Sequence, residues 1–316
     1  MEFRTLGHSG LRISTVGLGC MNFGLMCDQS TTDAIVDTAI DAGVNFFDVA
    51  DIYGGPQHKS ETMLGKALGA RRASVIVATK FGAKLGGRGG AAEGGGSRAY
   101  ILQAVEQSLT RLGTDYIDLY QHHFPDTGTP VEETLRALQD LVVQGKVRHI
   151  GCSNYSADQL QAATVAAREA GTSAFASAQN RYSLLHREIE AALVPVAQGH
   201  QVGILPYFPL ESGLLSGKYR EGEKPPADTR FGKWGGGGGF VSPARWRIVG
   251  ELHRYADSIG RSVLDLAIGW LAAQPFVSSV IAGVTRPEQV RQNVAAAGWP
   301  ISADQVDAIA KIAAAS

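Results

Sequence analysis

The feature of this 316-residue sequence that most restricts its fold is an alternation repeated eight times. Short apolar runs at 16–19, 44–48, 75–80, 117–123, 149–153, 176–180, 203–207 and 279–282 read as buried strands. Helical patterns lie between them. Residues 32–42 put Ile35, Val36, Ala39 and Ile40 on one face and stop at Gly43. Residues 100–112 repeat Ile101, Val105, Leu109 and Leu112 at helical spacing. Thr129 to Glu132, Ser156 to Gln159 and Ser302 to Gln305 read as capping boxes, and Pro287 as the start of a helix reaching 297. Ahead of this, residues 3–13 alternate weakly around Gly7 and Gly10 and read as a β-hairpin that would plug the main fold. Eight strand–helix alternations with no break in composition predict one closed (β/α)8 TIM barrel, residues 1–316 forming a single domain with long loops on one face. The alternative is an open doubly wound sheet, which should carry G-x-G-x-x-G after its first strand. Gly17-Leu18-Gly19-Cys20-Met21-Asn22 lacks the third glycine.

Composition narrows the function. At 44% hydrophobic the chain can build a large core, and a net charge of -1 gives no field that would draw nucleic acid or a membrane surface. No apolar run approaches the ~18 residues of a membrane span. The polar start of the chain lacks the apolar stretch of a secretory leader. Cys20, Cys27 and Cys152 have neither disulfide nor metal-ligand spacing. The expectation is a reduced, cytoplasmic protein without a metal. The oligomeric state stays open, a homo-oligomer included.

Chemistry gathers at the strand ends. The 44–48 run closes on Asp48, with Tyr53 just beyond; the 75–80 run closes on Lys80; the 117–123 run closes on His122 and His123. The carboxyl ends of parallel strands are where α/β proteins keep their active sites. Tyr supplies a general acid, Lys a cation that lowers its pKa, Asp a carboxylate that holds the cation, and His a donor that orients a carbonyl. Each alone has an ordinary explanation as packing, solvated charge or turn cap, but four together argue against coincidence. Neighbouring strand residues point to opposite faces, so one histidine of the pair can face the cavity and the two cannot share an ion. The chain has no H-x-H and no G-x-S-x-G, which sets a metal-dependent or acyl-transfer hydrolase far behind. Two glycine-rich stretches, 82–97 and 228–242, follow strands; each reads as a solvated loop or as a lid, the second carrying Trp234.

This set of residues, in this order and spacing, resembles the aldo-keto reductases, and in particular the bacterial branch that is also similar to potassium-channel β-subunits. The likeness runs from the hairpin to the last helix. It implies NADPH as cofactor and a catalytic tetrad of Asp48, Tyr53, Lys80 and His123, with His123 chosen because it precedes Phe124-Pro125. It implies Ser153, Asn154 and Gln179 at the nicotinamide carboxamide and Tyr207 stacked on the ring. Leu210, Gly213, Leu214 and Lys218 would line the phosphates. After the last strand, Gly283 leads into Thr285 and Arg286 for the 2′-phosphate and Gln289 and Asn293 at the adenine. Met21, Phe23, Phe124, Phe208 and Trp234 would form an apolar pocket for a small-molecule carbonyl. The chain departs from the family's pattern at His122, where the family usually has an apolar residue, and at Phe124, where Trp or Arg is common. The implied activity is reversible reduction of aldehydes and ketones to alcohols; the alternative is a slow-turnover NADPH-binding sensor or regulatory subunit.

Overall fold

All eight apolar runs are strands. The computed structural model describes residues 1–55, 59–84, 90–227, 229–233 and 235–314. A hairpin of β1 (Phe3–Thr5) and β2 (Arg12–Ser14) comes first. Then follow β3 (Val16–Gly19), β4 (Phe46–Asp48), β5 (Ile76–Phe81), β6 (Ile117–His122), β7 (Val147–Ser153), β8 (Ser177–Arg181), β9 (Gly203–Tyr207) and β10 (Val280–Gly283). These eight pair in parallel in the order β10-β3-β4-β5-β6-β7-β8-β9. The ends of that order meet: Ser278 N–H donates to Ile204 O at 2.9 Å and Ile204 N–H to Phe276 O at 3.2 Å. The sheet therefore closes into a (β/α)8 barrel, and the doubly wound alternative falls.

The barrel has two apolar layers. Its interior is filled at one end by the hairpin, whose Leu6 and Ile13 join Phe46, Ala78, Leu119, Leu205 and Ile281. The larger layer lies between strands and helices, where residues such as Phe47, Val77, Ile101, Leu135 and Leu160 are buried. A third cluster packs the helices Pro243–Ser258, Val263–Ala273 and Ala303–Ala314 behind β10. Among the described residues no helix is long and apolar enough to cross a membrane.

Local chemistry sets the boundaries. The strand expected from 44 begins at Phe46, because Asn45 bonds the hairpin: its Oδ1 accepts from Ser14 N–H at 2.8 Å and its Nδ2 donates to Arg12 O at 2.9 Å. The first helix, Gln29–Asp41, starts earlier than its apolar stripe because Asp28 caps it through Thr31 N–H. The boxes at Ser156 and Ser302 form, with Gln159 and Gln305 closing them. The box expected at Thr129 does not. The helix Val131–Val143 has Pro130 at its cap position with no side-chain bond, and the Thr129 hydroxyl donates to Asp126 Oδ2 at 2.7 Å instead. Ser156→Ala is accordingly expected to cost about 1 kcal/mol, and Thr129→Ala less, in urea unfolding. A larger loss at Thr129 would mean that it caps the helix in solution.

Candidate active site

The strand ends bring the four candidate catalytic side chains together. Lys80, on β5, is fully buried and donates to Asp48 Oδ2 at 2.6 Å and to Val49 O at 3.0 Å, with the Tyr53 hydroxyl 3.5 Å away. The other Asp48 oxygen accepts from Gln179 Nε2 at 2.8 Å and Gln121 Nε2 at 3.2 Å. Asp48 thus anchors β4 to β5, β6 and β8 through side chains. Tyr53 sits on the loop that follows, where Gly54 adopts φ +80°. A Cβ at Gly54 would lie 2.5 Å from Ser60 N and 2.8 Å from Phe23 O, so only glycine closes this turn.

His123 faces the cavity and His122 the opposite side of the wall, as the alternation of strand residues requires. The His123 ring stands edge-on to Tyr53, centroids 5.9 Å apart, and stacks on Phe124 at 4.9 Å. His122 stacks on Phe81 at 5.1 Å, its Nδ1 2.8 Å from the Tyr155 hydroxyl. Burial holds the His123 imidazole well below its ordinary pKa, with Lys80 and His122 adding to the effect. A neutral ring can donate one N–H and accept at the other nitrogen.

The charge balance differs from expectation at Tyr53. Burial raises its phenol above the ordinary value, and the Lys80 ammonium opposes that rise without reversing it. Tyr53 thus keeps its proton, as an acid awaiting a base must. Burial would lower Lys80, but Asp48 and Tyr53 offset this and leave the ammonium raised, hence charged. Asp51, two residues before Tyr53, is buried, and desolvation followed by Glu61 pushes its carboxyl up to about 7.

A cleft of ≈ 890 Å³ opens above these groups and runs to the start of the helix Pro287–Ala297. Besides Asp48, Tyr53 and His123 it is lined by Met21, Phe124, Ser153, Asn154, Gln179, Tyr207, Phe208, Leu210, Gly213, Lys218, Gly283, Thr285, Arg286, Gln289 and Asn293. The Tyr207 hydroxyl donates to Asn154 Oδ1 at 2.7 Å, and Asn154 Nδ2 donates to His123 O at 2.9 Å, which joins β6, β7 and β9 at the cleft floor. Gln289 Oε1 accepts from Thr285 N–H at 2.8 Å.

Two expectations shift. Phe23 is not a pocket residue. The loop after β3 turns at a Phe23–Cys27 bridge and sends the ring into the outer core, fully buried. Leu214 is likewise buried in the cluster behind β10 rather than on the cleft, because the turn there sends its side chain inward. Trp234 lies outside the described residues. The sequence reading also missed groups at the site. Gln121, buried beneath the cleft on Asp48, was legible as the residue two before His123 on the same strand face. Arg230, which donates to Asn22 Oδ1 at 3.0 Å, carried no local signal. Among the described residues no three His, Cys, Asp or Glu side chains cluster as a metal site.

A closed parallel barrel with a buried Asp–Lys pair, a phenol and a neutral imidazole at the mouth of a long cleft defines a class, and the comparisons agree. The sequence model of the aldo/keto reductase family matches residues 15–314; the chain belongs to that family. It is 34% identical to a probable voltage-gated potassium channel subunit beta of Arabidopsis thaliana, over 98% of this chain and 96% of that protein. It is 34% identical to the L-glyceraldehyde 3-phosphate reductase of Escherichia coli K12, over 94% of this chain and 87% of that protein. An uncharacterized oxidoreductase of Bacillus subtilis is 35% identical, over 94% and 91%. The family and its oxidoreductase members support carbonyl reduction in general terms.

One pH dependence follows from His122. Burial lowers its pKa from 6.5 to about 4. Between those values the unfolded chain binds the proton and the folded one does not, so acidification removes stability. His122→Leu removes this group. From pH 6.5 to 4 the variant is expected to lose about 3 kcal/mol less than the wild type, measured by urea unfolding at both pH values. Equal losses would show that the imidazole is not buried neutral.

Proposed function

We propose that the protein reduces aldehydes and ketones to alcohols, reversibly, with NADPH. The observation that carries this reading is the Lys80 ammonium held by Asp48 at 2.6 Å and lying 3.5 Å from a protonated Tyr53 hydroxyl in the cleft. When bound, the dinucleotide would supply hydride to the carbonyl carbon. Tyr53 would give its proton to the carbonyl oxygen, and Lys80 would stabilise the phenolate left behind. Asp48 would keep that ammonium charged and aimed. His123, neutral, would donate a hydrogen bond to the same oxygen and so fix its approach.

The cleft suits the cofactor. Asn154, Ser153 and Gln179 form an amide- and hydroxyl-bearing patch beside the tetrad, where a carboxamide would be recognised. Tyr207 offers a ring to stack on. Lys218, Arg230 and Arg286 line the cleft, and the start of the helix Pro287–Ala297 adds a partial positive charge for phosphate. Thr285 and Arg286 at that start support the 2′-phosphate and therefore NADPH over NADH. Near the tetrad, Met21, Ile52, Phe124 and Phe208 line the cavity, which favours an apolar or aromatic carbonyl substrate.

A second reading is a slow-turnover NADPH-binding regulatory subunit, favoured by the relatives named as channel β-subunits. Oxidation of NADPH followed at 340 nm with a reactive aromatic aldehyde separates the two: many turnovers support the reductase, and a single turnover with retained cofactor supports the regulator. Tyr53→Phe is expected to lower kcat by about 10²–10⁴ while cofactor titration stays near wild type; retained turnover would remove Tyr53 as the acid. Arg286→Ala is expected to weaken NADPH binding by about 1.5–3 kcal/mol and to spare NADH. Equal losses for both would remove Arg286 from the 2′-phosphate.

A further inference from the structure

We propose that Glu211 is a positioning residue, whose ion pairs with Arg181 and Arg245 hold the turn after β9 in the shape that receives the dinucleotide; this rests on the function proposed above. Glu211 is fully buried. Its Oε1 accepts from the Ser183 hydroxyl at 2.8 Å and from Arg181 Nε at 3.3 Å. Its Oε2 accepts from Arg181 Nη2 and from Arg245 Nη1 at 3.2 Å. Arg181 closes β8, and Arg245 lies in the first turn of the helix Pro243–Ser258. One carboxylate therefore joins a barrel strand, the cleft turn and a helix from the far side of the chain.

The turn needs such a clamp. Phe208, Glu211 and Ser212 have φ of 54°, 45° and 57°, and Gly213 has 101°. Three positive-φ departures by non-glycine residues within five positions, two of them adjacent, are a shape that the chain does not hold by local preference. The backbone bonds from Glu211 N–H to Phe208 O (3.0 Å) and from Gly213 N–H to Leu210 O (2.7 Å) close the turn on itself. The Glu211 carboxylate gives it its ionic ties to β8 and the helix Pro243–Ser258, beside the buried Leu214 and Leu215. Leu210, Ser212 and Gly213 line the cleft on this turn, with Phe208 at its base.

The same ionic knot reaches the substrate side. Arg245 Nη1 donates to Phe240 O at 3.1 Å, and the Arg181 guanidinium lies 5.7 Å from the Phe240 ring centre. Phe240 meets Phe208 edge-on at 6.2 Å. A carboxylate desolvated between two guanidiniums gives little net stability over an apolar replacement. Its use here is to fix one conformation in advance, so that a ligand need not order the turn itself.

The test is fluorescence titration of the full chain with NADPH, alongside steady-state kinetics and thermal unfolding. If Glu211→Gln leaves the turn in its receptive shape about a tenth of the time, the Kd for NADPH rises about tenfold, while kcat at saturating NADPH is retained because the filled site is the same. Arg245→Leu, which keeps the Arg181 pair, shifts the Kd in the same direction by less and decides the matter where Glu211→Gln fails to fold. A merely structural role would lower the thermal midpoint and leave the Kd of the folded protein unmoved. Unchanged Kd in both variants overturns the positioning role alone. A wild type that binds neither NADPH nor NADH overturns the proposed function, and this inference with it.

Discussion

The structure turns on one buried ion pair. Lys80 has no exposed surface, and a lysine in that position would shed its proton if it stood alone. Asp48 prevents that, at 2.6 Å, and is itself satisfied by amide donors from Gln121 and Gln179. Four strands contribute to this one polar layer, β4, β5, β6 and β8. Parallel pairing delivers their ends to one rim of the barrel, which explains why residues up to 131 positions apart meet there. Fold and chemistry are hard to separate at this point, because a register slip of one residue in β5 would turn Lys80 out of the barrel.

A pattern recurs away from the rim. Glu61, Asp118 and Glu211 are carboxylates with almost no exposed surface, and each is held by arginine. Glu61 pairs with Arg111 and accepts from the Thr79 hydroxyl. Asp118 takes Arg72 and Arg148, both of which also lie over the Tyr116 ring. Glu211 takes Arg181 and Arg245. In each case the pair joins elements that are separate in sequence. Such pairs add little to stability but penalise alternative packings heavily, since any arrangement that parts them leaves a bare buried charge.

Much of this was legible from residue order. The eight strands followed from short apolar runs, and the barrel from their even alternation with helices. The meeting of Asp48, Tyr53, Lys80 and His123 at one rim followed from polar residues at strand ends. What escaped had physical reasons. Phe23 and Leu214 are apolar residues beside a cleft, and which way a loop turns decides between core and pocket; no periodicity records that. Thr129 matched a capping pattern but found a better acceptor in Asp126. The direction of the Tyr53 shift depends on the balance between burial and a neighbouring charge, and burial is a property of the whole fold. Nothing local marks Glu211 in the sequence, because its two arginines lie 30 and 34 residues away on either side.

The way the barrel closes has one more consequence. β10 pairs with β3 through four residues, but among the described residues the backbone bridge to β9 is the one from Ile204 to Val277, before the strand proper begins. The ring of backbone bonds is thinnest at this seam. The turn carrying Leu210 and Gly213 leaves from one side of it, and the loop carrying Thr285 and Arg286 from the other. A ligand that lies along the cleft and touches both would act as a staple across the gap. A ligand seated on both sides would favour the closed ring over any opening at that joint, so affinity and seam stability would be coupled.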